Sequence, residues 1–349
     1  MRSKYGYNLI FLLLSAVLFV IFILAIGVFS SNLDALTAYQ ITANKVMASE
    51  IYKPVWEPLH ETIIWEVRLP RVLLSMVCGA GLAICGVLMQ CVTKNPIADP
   101  YVLGLASGAS TGAVFVIVLG GASLGIASVS GGAFIGTLIC SALVFVIGTE
   151  YGKNTSTTRL ILSGLAISTI FTALTDLIIS LAKNASQVKS ALFWSMGSLG
   201  GATWELLPLP FFTLCIAIII AIGISKSLDL LLFGDDNATM LGMNVNVVKS
   251  LIIIIASLLT SVLVSATGAI GFLGLMVPHI ARIICGNNHR RLIPIAAITG
   301  AIFLMCCDLF AKNAFYPKDL PIGIITSLIG GPFFLWMLTD KNYSFRTGK

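Results

Sequence analysis

Apolar residues run through this chain in long blocks, not at the intervals of an amphipathic helix or strand. Near-continuous stretches of Leu, Ile, Val, Phe, Ala and Gly occupy residues 8–29, 70–91, 102–120, 125–148, 159–181, 205–224, 249–267, 270–285, 292–311 and 322–339. A helix needs about 20 such residues to cross the hydrocarbon of a bilayer. The blocks therefore predict an all-α membrane protein of about ten transmembrane helices, forming a single domain over 1–349. The eighth block is the shortest. The first is too long for the apolar core of a secretion signal and lacks a small-residue cleavage site, so it is read as a span.

Polar interruptions inside the blocks carry the next layer of information. In GAIGFLGLMVPHIARIICG, Gly268 to Gly286, three glycines allow close backbone approach, Pro278 removes an amide donor, and His279 and Arg282 place polar groups at membrane depth. Such a segment must be sheltered by protein or line a wet cavity, which predicts a multi-helix pore or carrier. Gly104, Gly108 and Gly112, then Gly132 and Gly136, and finally Gly197 and Gly201 have the spacing of close helix contacts. Gln90, the turn containing Asn95, and Ser107 bring amides and hydroxyls beside the first of these surfaces, which suits a translocation path.

Composition excludes a soluble domain: 57% of residues are hydrophobic, 10% are charged and the mean hydropathy is +0.98. The eight cysteines lie in or beside apolar runs without metal-ligand spacing, and are expected to be buried packing residues. The net charge of +6 reads as topology, not as nucleic-acid binding. With the N-terminus inside, the cytoplasmic segments collect Arg2, Lys4, Lys94, Lys153, Arg159, Lys226, Lys249, Arg282, Arg290, Arg291, Lys341, Arg346 and Lys349. The opposite side holds Lys45, Lys53, Arg68, Arg71, Lys183, Lys189, Lys312 and Lys318, half of them in or at the end of the long loop 30–69. Both termini are thus expected in the cytoplasm.

Between the sixth and seventh blocks, Asp235 and Asp236 precede Asn237, Ala238, Thr239, Met240, Leu241 and Gly242. Acidic residues at the start and glycine after the end predict one short cytoplasmic helix, followed by a second short piece. No phosphate-binding GxxxxGK[ST] occurs; the nearest string, Gly148 to Lys153 followed by Asn154, lacks the glycine spacing and the magnesium-binding hydroxyl. The chain is therefore expected to hold no nucleotide cofactor itself. Any ATP and Mg would be bound by separate subunits docked near 230–246.

Six motifs, in order, resemble the permease subunits of bacterial ABC importers for iron-siderophores, haem and cobalamin, the FecCD-type or type II importers. They are RLPR (Arg68–Arg71), MQCVTKNPIADPYVLGLASGA (Met89–Ala109), STTRLILSG (Ser156–Gly164), FWSMGSLGGATW (Phe193–Trp204), GFLGLMVPHIAR (Gly271–Arg282) and DLPIGIITSLIGGPFFLWML (Asp319–Leu338). The resemblance implies ten helices per subunit, a second permease subunit that is identical or paralogous, two ATPase subunits below, and a periplasmic or lipid-anchored binding protein above, in the bacterial inner membrane. It implies that Arg68, Arg71 and Lys312 dock the binding protein, and that the 235–242 segment, with its Leu241–Gly242 pair, presses into the ATPase. It also implies that Thr157 and Thr158 form a cytoplasmic gate. Lys at 312, where relatives can have Arg, forgoes a bidentate contact.

The function expected is import of a metal chelate, with ferric siderophore placed first and haem or cobalamin as alternatives, and without enzymatic activity in this chain. A competing reading is an ion-coupled secondary transporter, resting on two intramembrane carboxylates, Asp176 and Asp308. The blander reading of both is a helix-end acid paired with a neighbour; Asp308 lies four residues from Lys312.

Overall fold

In the computed structural model, residues 4–27, 34–120, 125–149, 157–315 and 318–339 are described. Of the basic residues assigned to the cytoplasm, Arg2, Lys153, Lys341, Arg346 and Lys349 lie outside them, as does Asn154. Among the described residues all regular secondary structure is helical, without a strand. In chain order the helices are α1 (Lys4–Gly27), α2 (Ala35–Met47), α3 (Pro58–Thr62), α4 (Leu69–Thr93), α5 (Leu105–Leu119), α6 (Gly125–Gly148), α7 (Thr157–Ser180) and α8 (Ala185–Ser195). They continue with α9 (Pro208–Gly223), α10 (Ser225–Leu231), α11 (Asp235–Met240), α12 (Val245–Thr267), α13 (Leu273–Cys285), α14 (His289–Asn313) and α15 (Ile322–Thr339).

Every apolar block is helical, but fewer than ten helices meet the length of a bilayer crossing. Among the described residues seven are long and apolar enough, and eight if α9 and α10, which meet at 61°, form one broken span. α5 and α13 have only 15 and 13 residues. Both are shortened by irregular backbone at their entry, which the surrounding protein satisfies. Before α13, Gly268 and Phe272 take positive φ (70° and 66°), Thr267 O accepts from Ser198 N at 2.7 Å, and Ile270 N donates to Tyr101 Oη at 3.0 Å. The sheltering expected for this segment is therefore supplied by the turns at 101 and 198.

α4 is the axis of the bundle. Its apolar window is 89% buried, against 11% for α1 and 22% for α7. A difference of that size separates a helix enclosed by protein from helices whose outer faces meet lipid or another subunit. The helix arrives through a π turn at Ile63–Arg68. Pro70 has no amide for Glu66 O, and Leu69 N reaches back five residues to Ile64 O. Pro58 to Thr93 thereby runs as one helical segment of 36 residues, longer than the block at 70–91 suggests.

The segment 34–69 is not the open loop expected. α2 and α3 fold over the end of the bundle, where Ile26, Ala38, Ile41, Ile64 and Leu69 form a small core with Trp56, Trp65 and Trp204 around it. Trp204 Nε1 donates to Trp65 O at 2.9 Å, and Lys45 pairs with Glu61 at 2.5 Å. A 13-residue helix of mixed polarity leaves no mark on a ruler set for apolar crossings.

The glycine spacings divide. α5 and α6 cross through Gly108 opposite Gly136 and Gly112 opposite Gly132; a Cβ on Gly108 would lie 2.6 Å from Gly136 O. The fourth unit is not a helix contact. Gly197 takes φ 74° in the turn after α8, and a Cβ on Gly201 would meet nothing within 4 Å. All eight cysteines are free thiols; Cys78, Cys85, Cys91, Cys140 and Cys307 are buried as expected, Cys215 and Cys285 are half-buried, and Cys306 is exposed.

Candidate functional site

Three polar features stand out against this apolar bundle, one at each end and one along its side. At the first end, Gly234 (φ 108°) turns the chain into α11. Gly242 closes it as expected: Gly242 N donates to Thr239 O at 2.9 Å and Met243 N to Ala238 O at 3.1 Å, the reciprocal pair of a Schellman motif. The second short piece is absent, because α12 begins at once, capped by the Asn244 side chain accepting from Val247 N at 3.2 Å. Asp235 and Asp236 form the first turn of α11, at the helix start as expected.

Within α11 only Ala238 is buried. Phe233, Met240 and Leu241 are 70%, 84% and 68% exposed, an apolar knob outside the spanning segments. Asp235, with 41% of its side chain exposed, reaches two lysines of the bundle. Lys249 Nζ of α12 meets its Oδ2 at 2.6 Å and Lys94 Nζ, at the end of α4, its Oδ1 at 3.0 Å. Burial opposes ionisation of this carboxyl, but the hydrogen bonds and charges of Lys249 and Lys94 outweigh it and hold Asp235 below its ordinary range. Asp236 and Asn237 are exposed; Asn237 Nδ2 donates to Phe233 O at 2.7 Å.

At the other end the residues assigned to docking are buried and engaged within the chain. Arg71 sits at the start of α4; its Nε donates to Asp308 Oδ1 at 3.0 Å, its Nη2 lies 2.9 Å from the same oxygen, and its Nη1 is 2.6 Å from Asp319 Oδ2. Lys312 Nζ takes the other oxygen of Asp308 at 3.4 Å. Asp308 is thus a helix-end acid satisfied by neighbours, one of them Lys312 as its spacing suggested and the other, Arg71, far off in sequence. Arg68 is 1% exposed and its Nη1 reaches Ile26 O at 3.4 Å. In this conformation only Asp319, whose side chain is half exposed, offers the cluster to the outside.

The side feature is a stripe on α7. Thr158, Thr169, Thr172, Asp176 and Ser180 are all exposed on this helix, and their separations of eleven, three, four and four residues, each close to whole helical turns, put them on one face. Asp176 draws no ion pair from the described residues. Thr157 is half-buried beside this stripe. The other residues expected along a path lie elsewhere. Gln90 is buried between α4 and α13, accepting from Arg282 Nη1 and donating to Leu275 O at 3.2 Å. Asn95 Oδ1 accepts from Ile97 N at 3.1 Å within its turn, and Ser107 Oγ donates to Gly104 O at 2.9 Å. Gln90 thus joins two helices, whereas Asn95 and Ser107 bond locally and are half-buried. The partners Lys94, Lys249 and Asp319 escaped sequence reasoning, while Thr172, Asp176 and Ser180 carried a readable i, i+4, i+8 signal.

Residues 8–340 match the FecCD transport family. The cobalamin import system permease protein BtuC of Halobacterium salinarum is 38% identical over 80% of this chain and 74% of its own length. The hemin transport system permease protein HmuU of Yersinia pestis is 35% identical over 94% of this chain and 95% of its own. A solved structure, described as an inward-facing conformation of a putative metal-chelate type ABC transporter, superposes with a TM-score of 0.82 at 28% identity, covering 95% of this chain and 99% of that one. A match that spans nearly the whole chain, in sequence and in fold, settles the assignment: this chain belongs to the FecCD transport family.

Proposed function

We propose that the chain carries a bulky metal chelate, a ferric siderophore in the first instance, across the bacterial inner membrane by ATP-driven alternating access. Family membership makes it the permease of a metal-chelate ABC importer working with ATPase and substrate-binding partners. Two ATPase subunits, which alone bind ATP and Mg, press on α11 from the cytoplasm, where both termini also lie. A second permease, identical or paralogous, faces α7. The binding protein docks at the Arg71 end. The chain itself catalyses nothing.

The observation that carries the reading is the exposure of Phe233, Met240 and Leu241, three large apolar side chains left bare on and beside a short helix outside the spans. Water disfavours that exposure and a groove on a partner relieves it. The α7 stripe adds support, since an unpaired carboxylate such as Asp176 is costly against lipid and suits a wet path between subunits. At the opposite end, a carboxylate from the binding protein would compete with Asp319 for the outer edge of Arg71, giving registration more than affinity. The names of the two relatives keep haem and cobalamin as a second reading of the cargo.

The test is uptake of a radiolabelled ferric hydroxamate, haem and cobalamin by cells carrying the complete importer. Met240→Asp with Leu241→Asp is expected to remove the ATPase subunits from the purified complex and abolish uptake. Uptake that survives loss of the ATPase and collapses with a protonophore would sink the proposal in favour of the ion-coupled carrier.

A further inference from the structure

We infer that Asp235 is a positioning residue of the coupling element: a strut that fastens α11 to α4 and α12 from within, and not a contact for the partner. The inference rests on the reading of α11 as the surface against which an ATPase acts. α11 has six residues and buries one, so side-chain packing alone holds it weakly. Its first residue compensates for this. Both oxygens of Asp235 are taken, by Lys249 at 2.6 Å and Lys94 at 3.0 Å, and the two lysines belong to different helices.

Lys249 is 1% exposed, and the ammonium it carries inward has Asp235 as its ion-pair partner. The Asp235 side chain is itself 41% exposed, so only the lysine is buried; losing Asp235 would leave that buried ammonium without its counter-charge, and the link resists being pulled apart for that reason. Lys94 stands at the C-cap of α4 with φ 49°, a left-handed conformation that turns the chain directly after the helix ends. α4 and α12 are the two most enclosed spanning segments, with apolar windows 89% and 67% buried. Besides the short chain connection to α12, one carboxylate therefore carries a displacement of α11 into the best-packed part of the bundle, while Phe233, Met240 and Leu241 meet the partner.

The experiment uses the full chain assembled with its ATPase subunits in inside-out vesicles, with the native cysteines replaced and Thr158→Cys at the inner end of α7 as reporter. The labelling rate of that thiol by a membrane-impermeant maleimide is compared without nucleotide and after trapping with ATP and vanadate. Asp235→Asn alone would strand the Lys249 charge, so it is combined with Lys249→Met, which removes charge and counter-charge together. The expected result is that the neutral pair retains its ATPase subunits and ATP hydrolysis but loses the dependence of labelling on nucleotide. Asp235→Glu should keep it. A nucleotide response that persists in the neutral pair overturns the strut, and so does loss of the ATPase subunits from it, which would make Asp235 part of the docking surface. A wild-type complex whose labelling ignores nucleotide overturns the coupling reading beneath it, an outcome distinct from both.

Discussion

Replacing Asp308 by Asn tests the buried charge cluster most directly. The substitution keeps the size and one acceptor oxygen but removes the charge that faces Arg71 at 2.9 Å and Lys312 at 3.4 Å, both less than a tenth exposed. Breaking a buried pair by removing one partner costs about 3–5 kcal/mol. Asp319 still holds Arg71 Nη1 at 2.6 Å, which places the loss at the low end of that range. About 3 kcal/mol corresponds to a fall in the unfolding midpoint of roughly 4 °C, taking an unfolding entropy of about 2.1 cal/mol/K per residue over 349 residues. The chain provides its own assay: Cys78, Cys85, Cys91, Cys140 and Cys307 are buried, so a thiol-reactive fluorophore reports unfolding of the purified permease in detergent. The triple variant Arg71→Met, Asp308→Leu, Lys312→Met replaces the cluster with apolar groups and should recover most of the loss. If Asp308→Asn unfolds within a degree or so of the parent, about the scatter of a surface change, the cluster does not hold α14 to α4 as argued.

Further outcomes follow from other contacts. Asp319→Asn frees the outer edge of Arg71 and should tighten association with the binding protein, measured by surface plasmon resonance on the reconstituted permease; charge reversal at Arg68 or Arg71 would instead damage the fold, since both are buried. Gly132→Val should destabilise by about 1–3 kcal/mol, because a Cβ there lies 2.6 Å from Gly112 O. Gly131→Ala, one position along with nothing within 4 Å, should gain about 0.5–1 kcal/mol in the same thiol-exposure melt.

Local rules carried the sequence a long way, because a bilayer makes local demands. Each apolar block had to become a helix, as every backbone group in hydrocarbon must be paired within its own segment. The Gly108–Gly112 and Gly132–Gly136 spacings, the Gly242 terminus of α11 and the shelter needed by Gly268–Gly286 were all legible for the same reason. α2 was not, since a 13-residue helix of mixed polarity carries no membrane signal.

What only the tertiary structure decided is which polar groups meet. Arg71 and Asp308 are 237 residues apart, and Gln90 lies 192 from Arg282. Hydropathy says that each is costly in the membrane but not what offsets the cost. The answer depends on how neighbouring helices are rotated, and that rotation is set by packing along their whole length. Thus residues expected to face a path or a partner, Gln90 and Arg71 among them, turned inward, while Asp176 on α7 remained outside. The kind of protein was written along the chain; the direction each charge faces was settled between helices.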